Sequence, residues 1–324
     1  MPRQRIAVIG AGPHARDQHY PALAVLDEVE LCAACDLDRE RLNAVRNRYA
    51  IPAVYTDYRE MIQKESPDGV VVVTQPTQLT DVALGCLELG VHLLIEKPPG
   101  CTSAEARRIL AAARARNCRV MVSLNRRFMP ALRPLREMAR QRGLVHFSAT
   151  YNKAGSFADR WSLPCSLAVA DAIHLVDLAR FVGGEVVEFF AGSARRNADF
   201  VNSAAAVFRY ASGAFGTLNT HHCVGARVQR VEIHARGMSA FLDVGEPATP
   251  SVELWLDGAR AQIDVPVPEV PPGVHVDNYL ETQHFVRYIA GEEPGEAELE
   301  DVIPSVQLAE ALAAGYHGEM NAFG

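Results

Sequence analysis

Residues 5–24 constrain this chain more than any other stretch. An apolar strand, Arg5–Ile9, runs without a break into Gly10-Ala11-Gly12-Pro13-His14-Ala15 and on into a helical pattern, His14–Ala24. Strand, glycine turn and helix in that order are the context in which a G-x-G-x-x-G/A sequence binds a dinucleotide. Gly10 allows the tight turn, Gly12 lets the backbone approach a pyrophosphate, and Ala15 permits close packing of helix on sheet. The first N–H groups of the helix, opened by Pro13 and His14, have no partner inside it and are offered to the anion. Twenty-four residues beyond Gly12, Asp36 ends a second strand, where a carboxylate accepts hydrogen bonds from the adenosine ribose. A 2′-phosphate would be repelled there, so NAD is expected over NADP, while Arg39 and Arg41 nearby keep NADP open. Asp36 also reads as the N-cap of a helix over Arg39–Tyr49, which is compatible with ribose binding.

The alternation of short apolar runs and amphipathic stretches continues to position 124. Strands are expected at Arg5–Ile9, Val29–Cys35, Gly69–Thr74, Val91–Ile95 and Arg119–Ser123, with helices between them. Residues 1–124 therefore read as an α/β, doubly wound parallel-sheet domain of Rossmann type. Residues 125–324 read as a second, α+β domain. It opens with helices at about Met129–Gln141 and at Leu167–Phe181, the latter stopped by Gly183-Gly184. Period-two alternation from Val186 to Val267 predicts a large, mostly antiparallel open sheet. Two closing helices, Asn278–Ala290 and Asp301–His317, are expected to pack back on the first domain.

Thirty-two basic and 39 acidic side chains give a net charge of −7, and the Arg-rich stretches are broken by Ala, Leu and Glu at helical spacing. A nucleic-acid partner or an anionic membrane surface is not expected. No leader-like or membrane-length apolar stretch is legible, so a cytoplasmic protein is expected. The seven cysteines are odd in number and scattered, giving neither a disulfide framework nor paired metal half-sites; Cys32 and Cys35 read as reduced core thiols. His221-His222 cannot both face one side of a strand and lacks companion ligands, so no metal is expected.

Gly10–Ala15, Cys35-Asp36-Leu37-Asp38, Asp57-Tyr58, Val72-Val73-Thr74-Gln75-Pro76 and, above all, Gly90–Pro98 with its Glu96-Lys97-Pro98 resemble the glucose-fructose oxidoreductase/inositol dehydrogenase/MocA (Gfo/Idh/MocA) family. Asn125-Arg126-Arg127-Phe128, Trp161 and His174 with Asp177 fall where that family has counterparts, so the similarity covers nearly the whole chain. The resemblance implies NAD(P)-dependent hydride transfer on sugars, polyols and related compounds, and an open sheet that assembles homodimers or homotetramers. It implies cofactor contacts from Thr74, Gln75, Pro76, Glu96, Lys97 and Asn125 as well as from the glycine turn. Gln75 and Leu79 stand where the family commonly has Pro and His.

Lys97, at the carboxyl end of a predicted sheet strand, matches the family's catalytic lysine. Its ammonium can donate a hydrogen bond to the reacting oxygen or stabilise charge developing on it. His174 is the candidate acid/base, with Asp171 three residues before it and Asp177 three after, near one helix face. Here the chain departs from the family, which places Asp four residues before His after three glycines; this chain has Ala170 at that spacing and Pro164-Cys165-Ser166 in place of the glycines. Asp171 would point about 100° away around a regular helix. His174 also reads as an interior histidine bonded to Asp171 or Asp177. Arg127, Tyr151, Trp161 and His174 are the candidate substrate contacts. The expected function is an NAD(P)-dependent oxidoreductase acting on a small polyhydroxylated molecule. The alternatives are an imine or keto-sugar reductase and a dinucleotide-binding regulator without turnover.

Overall fold

The computed structural model of the protein describes residues 3–154, 164–245 and 251–323. These fall into two compact units, the described residues within 1–100, 104–125 and 268–303 and those within 101–103, 126–267 and 304–324.

In the first unit β1 (Gln4–Ile9), β2 (Val29–Cys35), β3 (Ala53–Tyr55), β4 (Gly69–Val72), β5 (His92–Glu96) and β6 (Val120–Ser123) form one parallel sheet, ordered β3-β2-β1-β4-β5-β6. β4 and β6 are buried along their whole length, which is why they read as uninterrupted apolar runs. Their connections are α1 (Tyr20–Val25), α2 (Arg39–Tyr49), α3 (Tyr58–Glu65), α4 (Pro76–Glu88) and α5 (Ser103–Ala115). The winding reverses between β1 and β4, and in such sheets ligands lie at the carboxyl ends of the strands flanking the reversal. The edge strand β3 has only three residues, too few for its alternation to be legible in sequence.

The second unit is built on a nine-stranded sheet of β7 (Leu144–Ala154), β8 (Val186–Ala194), β9 (Ser203–Tyr210), β10 (Phe215–Val224), β11 (Val228–Ala235), β12 (Met238–Asp243), β13 (Val252–Leu256), β14 (Ala259–Ala261) and β15 (His317–Glu319). Its order is β14-β13-β12-β11-β7-β10-β9-β8-β15. All pairings are antiparallel except that of β7 with β10, where Tyr151 lies opposite Thr220. α6 (Leu132–Arg142) packs on β11 and α8 (Ile173–Gly183) on β7, burying Phe147, Ala149, Phe208, Tyr210, Leu218, Val231 and Ile233. The alternate positions leave Phe190, Val207 and Phe215 each more than half exposed.

Four expected helices differ in extent. The helix expected from Met129 starts at Leu132, after a single turn at Asn125–Phe128. The helix expected over Leu167–Phe181 is two, α7 (Leu167–Ala170) and α8, broken at Asp171, whose φ and ψ are −128° and −52°. The closing helices are α9 (Val276–Ala290) and α10 (Leu299–Ala314), and α9 belongs to the first unit. Phe285 and Ile289 of α9 come so close to Gly69 that a Cβ there would lie 2.8 Å from the Ile289 Cδ1. No helix among the described residues is long and apolar enough to cross a membrane.

Gly216 of β10 lies opposite Phe208 of β9, and a Cβ at Gly216 would sit 2.2 Å from the ring of Phe208, which is 1% exposed. Gly216→Ala should therefore force a buried ring off its rotamer and cost about 1–3 kcal/mol. Urea denaturation checks this; a midpoint equal to that of the unsubstituted protein would show that the Phe208 ring moves without cost.

Candidate functional site

At Gly10 the backbone admits no other residue. Its φ is +110°, and a Cβ would lie 2.1 Å from the Val73 carbonyl oxygen just past β4. Gly12 differs: a Cβ there would meet nothing within 4 Å. The protein's own packing does not ask for glycine at 12, and the space left above the helix start is what a pyrophosphate requires. Ala15 is fully buried, as close helix-sheet packing demands. Pro13 and His14 are the first helical residues, followed by one wide π-turn, Ala15–His19, that leads into α1.

Asp36 braces the turn from the side of β2. Its Oδ2 accepts from the Ala11 N–H at 2.6 Å and its Oδ1 from the Asp38 N–H at 2.9 Å. The N-cap of α2 is Asp38, which accepts from Glu40 and Arg41, so the capping role read for Asp36 falls two residues later. Arg41 pairs with Asp38 at 3.1 Å. Beyond β4, the Thr74 Oγ1 is buried without a hydrogen-bond partner, Gln75 is exposed, and Pro76 begins α4. An open cradle at Gly12, a carboxylate at the end of β2 and an unsatisfied hydroxyl beside the reversal fit a bound dinucleotide.

β5 ends in Glu96, followed by half-buried Lys97 and a cis Lys97-Pro98 peptide. Glu96 is buried. Its Oε1 meets the Nε2 of His14 at 2.9 Å and that of His19 at 2.8 Å, and its Oε2 accepts from the Lys97 N–H at 3.0 Å. Burial alone would raise the Glu96 pKa, but the two imidazoles outweigh it and hold the carboxyl well below the usual range. In turn the Glu96 carboxylate, against the opposing effect of burial, raises His14 above its ordinary value. Asn125 gives its Nδ2 to Asp277 at 2.7 Å and Asn278 at 3.3 Å, so the amide nitrogen expected to contact the cofactor is engaged by α9. Sequence reasoning missed Glu281, which is fully buried, accepts from the Ser123 hydroxyl at 2.7 Å, and is pushed well above the carboxylate range by burial.

In the second unit the break between α7 and α8 turns Asp171 toward the sheet. Its Oδ1 accepts from the Tyr151 hydroxyl at 3.0 Å and the Lys153 ammonium at 2.7 Å, and its Oδ2 lies 2.9 Å from the His222 Nε2. Lys153 carried no sequence signal, and His222 was legible only as half of a histidine pair. Asp177 is engaged differently: Arg127 forks onto it with two bonds of 2.6 Å, and the Ser305 hydroxyl donates at 2.8 Å. Arg127, expected to line a substrate pocket, is 3% exposed and is a buried structural partner, because the carboxylate beside it satisfies its fork. Tyr151 is buried as well, and burial followed by the Asp171 charge pushes its hydroxyl pKa well up. His174 lies on the first turn of α8, half-buried, and Trp161 lies outside the described residues. No disulfide framework was expected, yet Cys101 and Cys165 form a disulfide; their separation of 64 residues gave no pairing signal. Cys32 and Cys35 are free and buried.

Residues 4–124 match the description of an oxidoreductase family with an NAD-binding Rossmann fold, and residues 143–240 match the GFO/IDH/MocA C-terminal domain. The chain belongs to the Gfo/Idh/MocA family. Among its relatives, the myo-inositol 2-dehydrogenase of Thermotoga maritima is 26% identical over 251 residues, 74% of this chain and 75% of that protein. The D-apiose dehydrogenase of Paraburkholderia graminis is 32% identical over 202 residues, 59% and 52% of the two chains. The fold is shared with the aldose-aldose oxidoreductase of Caulobacter crescentus, solved with glycerol, at a TM-score of 0.86 and 18% identity over 97% of each chain. As in other Gfo/Idh/MocA proteins, the first unit is an NAD(P)-binding Rossmann domain.

Because nothing among the described residues fills the space at Gly12, Gly12→Ala should leave stability within about 0.5 kcal/mol while weakening dinucleotide binding at least tenfold. Calorimetric melting and fluorescence titration read the two effects separately. An unchanged dissociation constant would remove Gly12 from the cofactor site.

Proposed function

We propose that the protein is an NAD-dependent dehydrogenase or reductase of a small polyhydroxylated molecule, a sugar, a polyol or a sugar derivative. The observation that carries this reading is Lys97 at the end of β5, beside the strands whose ends form the dinucleotide cradle. Bound nicotinamide supplies a hydride acceptor or donor at its C4. The chain supplies the rest. Lys97 donates a hydrogen bond to the substrate oxygen and stabilises its developing charge. His174 takes the hydroxyl proton in the oxidative direction, and Asp171 acts as a positioning residue that anchors Tyr151, Lys153 and His222. The altered spacing, with Asp171 three residues before His174, supports reduction of a keto-sugar or imine as the second reading, with Lys97 alone or a water as proton donor.

NAD over NADP rests on Asp36. The exposed apolar side chains of Phe190, Val207 and Phe215 support a homodimer or homotetramer formed through the open sheet. A cytoplasmic setting goes with this reading.

Asp36→Ser should cost NAD affinity about 1–3 kcal/mol through the lost charged hydrogen bonds and shift the NAD:NADP preference toward NADP. Titration with both dinucleotides decides the point, and a wild-type preference for NADP overturns the assignment. Lys97→Ala should lower kcat about a hundredfold or more with the NAD dissociation constant nearly unchanged. The base must be deprotonated, so wild-type alcohol oxidation should rise with pH, and His174→Ala should abolish that ionisation in kcat/KM. A folded His174→Ala enzyme with the wild-type rate and profile would leave Lys97 as the proton carrier.

A further inference from the structure

The helix after Gly12 carries its π-turn where two histidines need it. In an α-helix, residues five apart are about 140° apart around the axis. Over Ala15–His19 the backbone instead bonds five residues along, the Tyr20 N–H reaching the Ala15 carbonyl, and this brings such residues round to one side. His14 and His19 accordingly converge, with ring centroids 5.9 Å apart and both Nε2 atoms within 2.9 Å of the same Glu96 oxygen.

Two imidazole nitrogens and one carboxylate oxygen are a donor set that zinc accepts with a fourth position left open. All three ligand atoms lie within 4.8 Å of one another. A tetrahedral ion with bonds of about 2.0–2.1 Å holds its ligand atoms roughly 3.3 Å apart, so each N···O separation has to widen by only about half an ångström. The second Glu96 oxygen is fixed by the Lys97 N–H at 3.0 Å, which orients the carboxylate. The side chains of His19 and Glu96 are 1% and 8% exposed, whereas that of His14 is 55% exposed. The set is therefore walled on one side and open on the other, where an ion enters and a water completes its coordination.

We propose that His14, His19 and Glu96 form a site for a divalent transition-metal ion of the zinc type. The ion takes the place of the hydrogens that join the two imidazoles to Glu96, which pass to the Nδ1 atoms or to solvent. The buried His19 Nδ1 has no acceptor, so affinity should be about 10–100-fold below that of a site with this outer hydrogen bond.

Cys223 is exposed, so the test uses metal-free Cys223→Ser protein, full length, titrated with Co²⁺ and then Zn²⁺. The expected result is one Co²⁺ per chain with the visible absorption of a four-coordinate nitrogen-oxygen site and no thiolate band, displaced by Zn²⁺. His14→Gln, a change at an exposed side chain, should keep the melting temperature and abolish the absorption; Glu96→Gln should weaken it at least tenfold. Absence of the cobalt spectrum together with no heat of Zn²⁺ binding overturns the proposal. So does binding that survives His14→Gln unchanged, since it would place the ion elsewhere.

Discussion

Only a hydrogen atom fits on the Gly10 α-carbon in front of the Val73 carbonyl, and the first unit is organised around that close approach. It lets the chain turn hard at the end of β1 while staying against the end of β4, with the Gly10 N–H bonded to the Cys35 carbonyl at 2.7 Å. Asp36 can then reach the Ala11 N–H, and the helix can begin with its N–H groups facing outward. A residue with a side chain would separate the strand ends, and Asp36, Thr74 and Lys97 would lose their common reference.

Two buried glutamates in this unit show how surroundings decide charge. Glu96 is met by two imidazoles and a backbone N–H and stays a carboxylate. Burial, joined by the charges of Glu96 and Asp277, pushes Glu281 well above the carboxylate range against the hydrogen bonds it receives from the Ser123 hydroxyl and the Leu124 backbone. Two glutamates of one unit are thus shifted in opposite directions by their surroundings and not by residue type.

What was legible in the sequence follows from how local its cause is. β1, β2 and β4–β6 declare themselves because buried parallel strands have no polar face to write. The glycine turn and Asp36 are equally plain, since each role is fixed by a few neighbours in the chain. The α7–α8 break was not legible: Leu167 to Phe181 is apolar enough for one helix, and the partners that Asp171 meets at the break, Tyr151, Lys153 and His222, lie far from it in the chain. Asp36 read as a cap because Asp38 sits two residues on with the same chemistry. The meeting of His14 and His19 depends on a π-turn, which no α-helical periodicity announces. The Cys101–Cys165 pair and the Arg127–Asp177 fork depend on long-range packing.

The lone parallel pairing in the second sheet has a further effect. Antiparallel neighbours bring the start of one strand beside the end of the next, whereas β7 and β10 finish side by side. Tyr151 and Lys153 lie near the end of one, Thr220 and His222 near the end of the other, so four polar side chains gather at one rim without a loop to carry them. The second unit thereby reproduces, within an antiparallel framework, the arrangement by which the first collects its own functional groups: chain direction, more than side-chain length, decides where polarity accumulates.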